Sequence, residues 1–210
     1  MVLDPSREVE LYLRRTAGSF ASFDEGELRA GDVFLVHLNG CELPQYVRRR
    51  DATTAFVRNG GILILQEPEY DVKTTRILNV TNDLVLTVTK RRDADRGGYD
   101  SYVFPDDDRH PLWNSIDPDQ LAMFNGSVGG EMVSQHDVTS PMPMETLARC
   151  GLHLGVVAVG KIACGLGAVV VSRIQVRGRL VPAPSAGGLF ERRSDPVAQQ
   201  YLRNLLGAFP

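Results

Sequence analysis

The sequence predicts an α/β fold built on a mostly parallel sheet, and three stretches carry that expectation. The run "GDVFLVHL" (31–38) is short, continuous and rich in Val, Phe and Leu, which suits a strand covered on both faces. From Pro44 to Asn59, Ala52, Ala55 and Phe56 fall at i, i+3 and i+4, and Asn59-Gly60-Gly61 supplies a left-handed stop, so a helix follows that strand. "GILILQE" then returns as a second buried strand over Ile62 to Gln66, which completes a βαβ unit with a right-handed crossover. At the far end Asp195 can cap and Pro196 fits a first helical position. Ala198, Tyr201, Leu202, Leu205 and Leu206 then make one apolar stripe before Gly207, a helix that must dock on the sheet.

The other elements fall between these. "SREVELYLRRTAG" carries Val9, Leu11, Tyr12 and Leu13 at helical spacing, and Gly18 can end it. The strand that should precede this helix has only "MVLD" to draw on, so it is very short or incomplete. "LVLTVT" (84–89) reads as a further strand, whereas "KRRDADRGGYDSYVFPDDDRHP" (90–111) reads as a long charged connection. "HLGVVAVGKIACGLGAVVVSRIQV" reads as two strands joined by the tight backbone of Cys164-Gly165-Leu166-Gly167, which is hairpin chemistry. Pro182 to Gly188 reads as a mobile loop. With no internal repeat and no low-complexity tract, residues 1–210 make one domain.

Composition removes several classes of function. Charged residues make up 23% of the chain and the formal net charge is −3, so there is no basic field to hold a nucleic-acid backbone. The longest apolar runs, Val156 to Val159 and Ala168 to Val171, fall far short of the ~20 residues of a membrane span. The start, "MVLDPSREVELYL", meets charge at once and has no apolar signal core. Cys41, Cys150 and Cys164 give an odd count without C-x-x-C spacing, which argues against a disulfide framework or a zinc site and favours free thiols in a cytoplasmic setting. No cofactor is implied.

For catalysis the candidates are Cys41, Glu67 and Glu69. Cys41 follows Gly40 at the end of a strand, as a nucleophile would. Leu43 stands where an elbow has glycine, however, and Pro44 starts the helix too late to aim its dipole at the sulfur, so a small buried residue is the preferred reading. Cys164 has elbow-like glycines but precedes a strand where the elbow precedes a helix, and Cys150 with His153 offers only proximity in sequence. Glu67 and Glu69 follow a strand at its carboxyl end, where α/β sheets place ligands, and a carboxylate pair is what sugar hydrolysis needs; a solvated acidic loop is the competing reading. Asp106-Asp107-Asp108 with His110, and His136-Asp137, do not make a metal site, because adjacent carboxylates on an extended chain point apart. His110, Trp113 and Phe124 in "HPLWNSIDPDQLAMFNG" are candidate ligand-binding residues that could stack on a sugar, set against the reading in which the two large aromatics anchor a long loop onto the core.

Several strings in fixed order also carry a resemblance. "VLDP", "DVFLV", "AFVRNGGILILQEPE", "RHPLWNSIDPDQLAMFNG", "GLGAVVVSRIQV" and "DPVAQQYLRNLL" together resemble the class I glutamine amidotransferase-like domain attached to bacterial glycoside hydrolases. The C-terminal domains of family 2-type hydrolases are the nearest in pattern, and the β-galactosidase trimerisation domain is a more distant relative. The resemblance spans nearly the whole chain. It implies a flavodoxin-like three-layer sandwich without the amidotransferase catalytic set, and an accessory or assembly domain whose partner is a hydrolase catalytic domain or a second copy, with a residual sugar-binding surface. A cysteine-dependent amidohydrolase and a carbohydrate-binding module are the alternatives.

Overall fold

The computed structural model describes residues 1–16, 20–23, 26–68, 74–91, 102–122, 132–181 and 194–209. Its centre is a seven-stranded sheet. Strands β1 (Val2–Leu3), β2 (Val33–His37), β3 (Ile62–Gln66) and β10 (Gly167–Ser172) run parallel, and β9 (Val156–Cys164), β8 (Glu145–Cys150) and β6 (Phe104–Pro105) continue antiparallel, in the order β1-β2-β3-β10-β9-β8-β6. The sheet is therefore parallel in one half and antiparallel in the other, where the sequence led us to expect a mostly parallel one. The Gly-rich hairpin is the cause: it reverses the chain between β9 and β10, with Gly165 in the left-handed region (φ +66°).

The continuous apolar strings are explained by burial on both faces. Leu35, Ile62, Ile64, Ala168 and Val170 point to one side, where α1 (Glu8–Thr16) and α4 (Pro196–Gly207) pack with Val9, Tyr12, Leu13, Ala198, Tyr201, Leu202 and Leu205. Phe34, Val36, Leu63, Leu65, Val169 and Val171 point to the other, against α2 (Pro44–Arg48), α3 (Arg50–Arg58) and a small second sheet. Strict alternation of apolar residues between two cores is what a period of two requires of strands covered twice. The C-terminal helix starts as its sequence indicates: Asp195 accepts from the amides of Val197 and Ala198, with Pro196 at the first position.

Two elements differ from the sequence reading. The helix expected over 44–59 divides at Arg49, whose backbone leaves helical values (φ −105°, ψ 13°). Its guanidinium donates to the carbonyls of Phe23 and Gly26 and lies 4.5 Å over the Phe23 ring. The second sheet, β4 (Arg76–Asn79), β5 (Val85–Lys90) and β7 (His136–Thr139), was foreseen only in β5. It buries Leu78, Leu86, Val88 and Val138. Pro182 to Gly188 lies outside the described residues. Among the described residues no helix is long and apolar enough to cross a membrane.

The first strand is two residues long yet paired on both sides. Its inner edge pairs with β2, and its outer edge bonds to the segment after α1: the Val2 amide donates to Ala21 O, the Phe23 amide donates to Val2 O, and Ser22 forms a parallel bridge with Val2. From β1 the chain thus moves outward through α1 to Ser22, then back across to β2 and on to β3. The direction of winding reverses between β1 and β2, and at such a reversal the connections leave towards opposite faces, opening a crevice at the carboxyl ends of the strands.

Candidate functional site

Each of the three N-terminal parallel strands ends in a titratable residue, and the parallel register brings these residues together. Asp4 follows β1, His37 ends β2 and Glu67 follows β3. His37 Nδ1 lies 2.8 Å from Asp4 Oδ1, and its Nε2 lies 3.5 Å from Glu67 Oε1, an ion-pair contact longer than a good hydrogen bond. The Ser6 hydroxyl donates to Asp4 Oδ1 at 2.7 Å, while the amides of Val9 and Glu10 donate to Asp4 Oδ2 at 2.7 and 3.3 Å, which caps the start of α1. On the other flank Glu67 Oε1 accepts from the amides of Val176 and Arg177. Glu67 and Leu38, each the first residue past its strand, both stand in the left-handed region at φ +52°. That conformation is strained for a side chain with a Cβ, and here it turns the Glu67 amide to Ser172 O and the Leu38 amide to Gln66 O.

The cluster is sealed: the His37 side chain is 0% exposed and that of Glu67 2%. Burial alone would discharge the imidazole, but its hydrogen bond to Asp4, its close contact with Glu67 and the charges of both outweigh this and raise its pKa to about 9. Burial likewise opposes ionisation of Asp4 and Glu67. The contacts with His37, with Ser6 and the Glu10 amide on Asp4, and with the Val176 and Arg177 amides on Glu67, hold both below the ordinary carboxylate range. The chemistry is that of a buried imidazolium between two carboxylates. Asp4 Oδ2 and Glu67 Oε1 accept from backbone amides, so the group ties the ends of β1, β2 and β3 to the start of α1 and the 176–177 turn. His37 and Glu67 are closed to a substrate, and of the three residues Asp4 comes nearest the surface, at 8% exposure.

Cys41 lies 2% exposed in a 3-10 turn (Gly40–Glu42) among Val36, Tyr46 and other residues of the second core. Burial pushes its thiol up to about 12, against a smaller lowering by Tyr46, so it is not held as a thiolate. Cys150 and Cys164 are also buried, and none of the three is in a disulfide. His153 stands in an exposed turn beyond Cys150. Glu67 is at the carboxyl end of its strand as expected, but it is interior, not part of a solvated acidic loop. Glu69 and Phe124 lie outside the described residues.

The indole of Trp113 is 4% exposed and stacks near Tyr201 with ring centroids 6.0 Å apart, in the position of a core anchor and not of a platform for a sugar. His110 is half-buried; its Nδ1 accepts from the Leu112 amide and its ring lies 5.9 Å from Phe209. Asp106 pairs with Arg149, and Asp107 with Arg109. Among the described residues no set of three His, Cys, Asp or Glu side chains is placed to hold a metal ion.

Asp4 and His37 were missed by sequence reasoning, although a signal was present. "VLD", "FLVH" and "ILILQE" are apolar runs that each end in a titratable side chain, and parallel strands in register must bring such endings side by side. No family model matches the chain, and no curated protein matches it.

Proposed function

We propose that this chain is a non-catalytic accessory or assembly domain of a carbohydrate-active enzyme, a flavodoxin-like unit of the class I glutamine amidotransferase-like kind attached to glycoside hydrolases. The observation that carries the reading is the Asp4–His37–Glu67 cluster. At the carboxyl ends of the parallel strands, where α/β enzymes expose their reacting groups, this chain holds a sealed ion cluster. The Cys41 thiol, which follows a strand as an amidotransferase nucleophile would, is buried and held protonated. The winding reversal between β1 and β2 supports the flavodoxin-like assignment, and the ordered strings quoted above support the link to hydrolases.

Two measurements test this reading. The 210-residue chain should turn over neither glutamine nor aryl glycosides above the uncatalysed rate, and turnover that disappears in Cys41→Ser would overturn the proposal. In a family 2-type hydrolase polypeptide carrying these strings, deleting the domain should lower the sedimentation coefficient beyond the mass removed, or lower the melting temperature of the catalytic part. An unchanged assembly and an unchanged melting curve would remove the accessory role.

A further inference from the structure

A cleft of about 730 Å³ opens on the outer edge of β1, beside the winding reversal, and Asp4 is the one member of the ion cluster that reaches it. Asp4, Pro5 and Arg7 line it from the end of β1, Glu10, Leu11 and Arg14 from the face of α1, Ser22 and Phe23 from the outer edge segment, and Leu43 and Gln45 from the start of α2. Its volume is that of a small-molecule site, about 300–1,000 Å³. It lies between α1, the outer edge of β1 and the start of α2, next to the strand ends near which open α/β sheets take ligands.

The lining has an excess of uncommitted donors. Among the described residues the guanidinium of Arg7 makes no ion pair or side-chain hydrogen bond, and that of Arg14 lies 5.4 Å over the Phe20 ring without a carboxylate partner. Gln45 and Ser22 bring an amide and a hydroxyl whose side chains make no hydrogen bond among the described residues. Of the two carboxylates, Asp4 has both oxygens committed to Ser6, His37 and the α1 amides, and Glu10 makes no ion pair with either arginine. Two guanidiniums at a cleft, with neutral polar groups beside them, match an oxyanion that also carries hydroxyls, because the planar fork of arginine pairs in bidentate fashion with carboxylate and phosphate alike. Arg7 sits at φ +62° with its carbonyl accepting from the Leu11 amide, so its backbone is fixed at the cleft rim instead of belonging to a loose loop.

We propose that this cleft binds a small organic oxyanion, a carboxylate or phosphate ester bearing hydroxyl groups, held by Arg7 and Arg14 with Gln45 and Ser22 as neutral partners. The site is independent of the hydrolase reading: it would stand in any domain with this crevice.

Titration calorimetry of the 210-residue chain at low ionic strength with glucuronate, glucose 6-phosphate, inorganic phosphate and neutral glucose decides the matter. Saturable millimolar binding is expected for glucuronate or glucose 6-phosphate, and none for glucose. Preference for the phosphate compounds identifies a phosphate ester as the ligand class, and preference for glucuronate identifies a carboxylate. Arg7→Gln and Arg14→Gln should each weaken binding about tenfold, the effect of losing one charge-assisted hydrogen bond. Glu10→Gln should tighten it, and Arg109→Gln, on a distant surface, should leave it unchanged. Thermal melting of each variant separates lost binding from lost folding, and Glu10→Gln keeps the test open if an arginine variant fails to fold. No saturable binding of either sugar anion, equal binding of glucose, or wild-type affinity in the two arginine variants would overturn the proposal.

Discussion

Replacing His37 with alanine isolates the energetics of the sealed cluster. The change deletes the cation between two carboxylates, in a site where the imidazole is 0% exposed. Removing one partner of a buried ion pair typically costs about 3–5 kcal/mol, because the charge left behind has neither water nor a counter-ion. Here the lower end applies, since Asp4 keeps Ser6 and the Val9 and Glu10 amides, and Glu67 keeps the Val176 and Arg177 amides. The raising of His37 from its ordinary 6.5 to about 9 is worth about 3 kcal/mol in the same sense. Against a whole-domain stability of about 5–15 kcal/mol this is a large fraction.

Urea denaturation at several pH values reads both the magnitude and its sign. His37 is protonated more tightly folded than unfolded, so its contribution is fully present below about pH 6.5 and is lost as pH rises through about 9. Asp4 and Glu67 are held below their ordinary 3.8 and 4.5, so their contribution is present above those values and is lost as pH falls below them. In His37→Ala the buried carboxylates lose their counter-ion and gain stability by binding protons. The variant should therefore be about 3 kcal/mol less stable near neutral pH and should recover stability on acidification below about pH 6.5, where the His37 contribution to the wild type is already complete. A loss below about 1 kcal/mol, or a pH profile parallel to that of the wild type, would refute a sealed, charged cluster.

Three further outcomes are expected. Cys41 should resist iodoacetamide in the native chain at neutral pH and react once urea exposes it, since burial holds its thiol near 12; rapid native labelling would mean an accessible thiolate. Leu202→Asp should abolish soluble folding, because Leu202 is at the centre of the α4 stripe and an unpaired buried carboxylate costs several kcal/mol; an unchanged melting temperature would mean that α4 is detached from the sheet. Gly167→Ala should destabilise by about 2–4 kcal/mol in chemical denaturation, because a Cβ there overlaps the carbonyl oxygens of Gly61 and Val57, which are backbone and cannot swing aside; a neutral result would show that the β3–β10 contact is looser than it stands.

Local pattern was enough to read β2, β3, the β9–β10 hairpin and α4, because each is written by neighbours in the chain: a two-sided apolar run, a glycine at a tight turn, a capping Asp with a following Pro and one apolar stripe. The break at Arg49 was not legible, since the carbonyls that draw its guanidinium away belong to Phe23 and Gly26, more than twenty residues earlier. Short strands such as β4 and β7 were not legible either. Four residues with one or two inward side chains carry too weak a period to stand out, and they become strands only by pairing with β5.

The site divides in the same way. Sequence alone determined that Glu67 stands at a carboxyl end and that Cys41 lacks the elbow a nucleophile needs. Only the tertiary structure decided that Asp4, His37 and Glu67 form one sealed cluster, that Trp113 faces the core, and that Arg7 and Arg14 share a cleft. The physical reason is that in-register parallel pairing and the winding reversal at β1 bring together residues separated by some thirty positions, and whether a charged group is buried depends on which loops close over it, which no local pattern records.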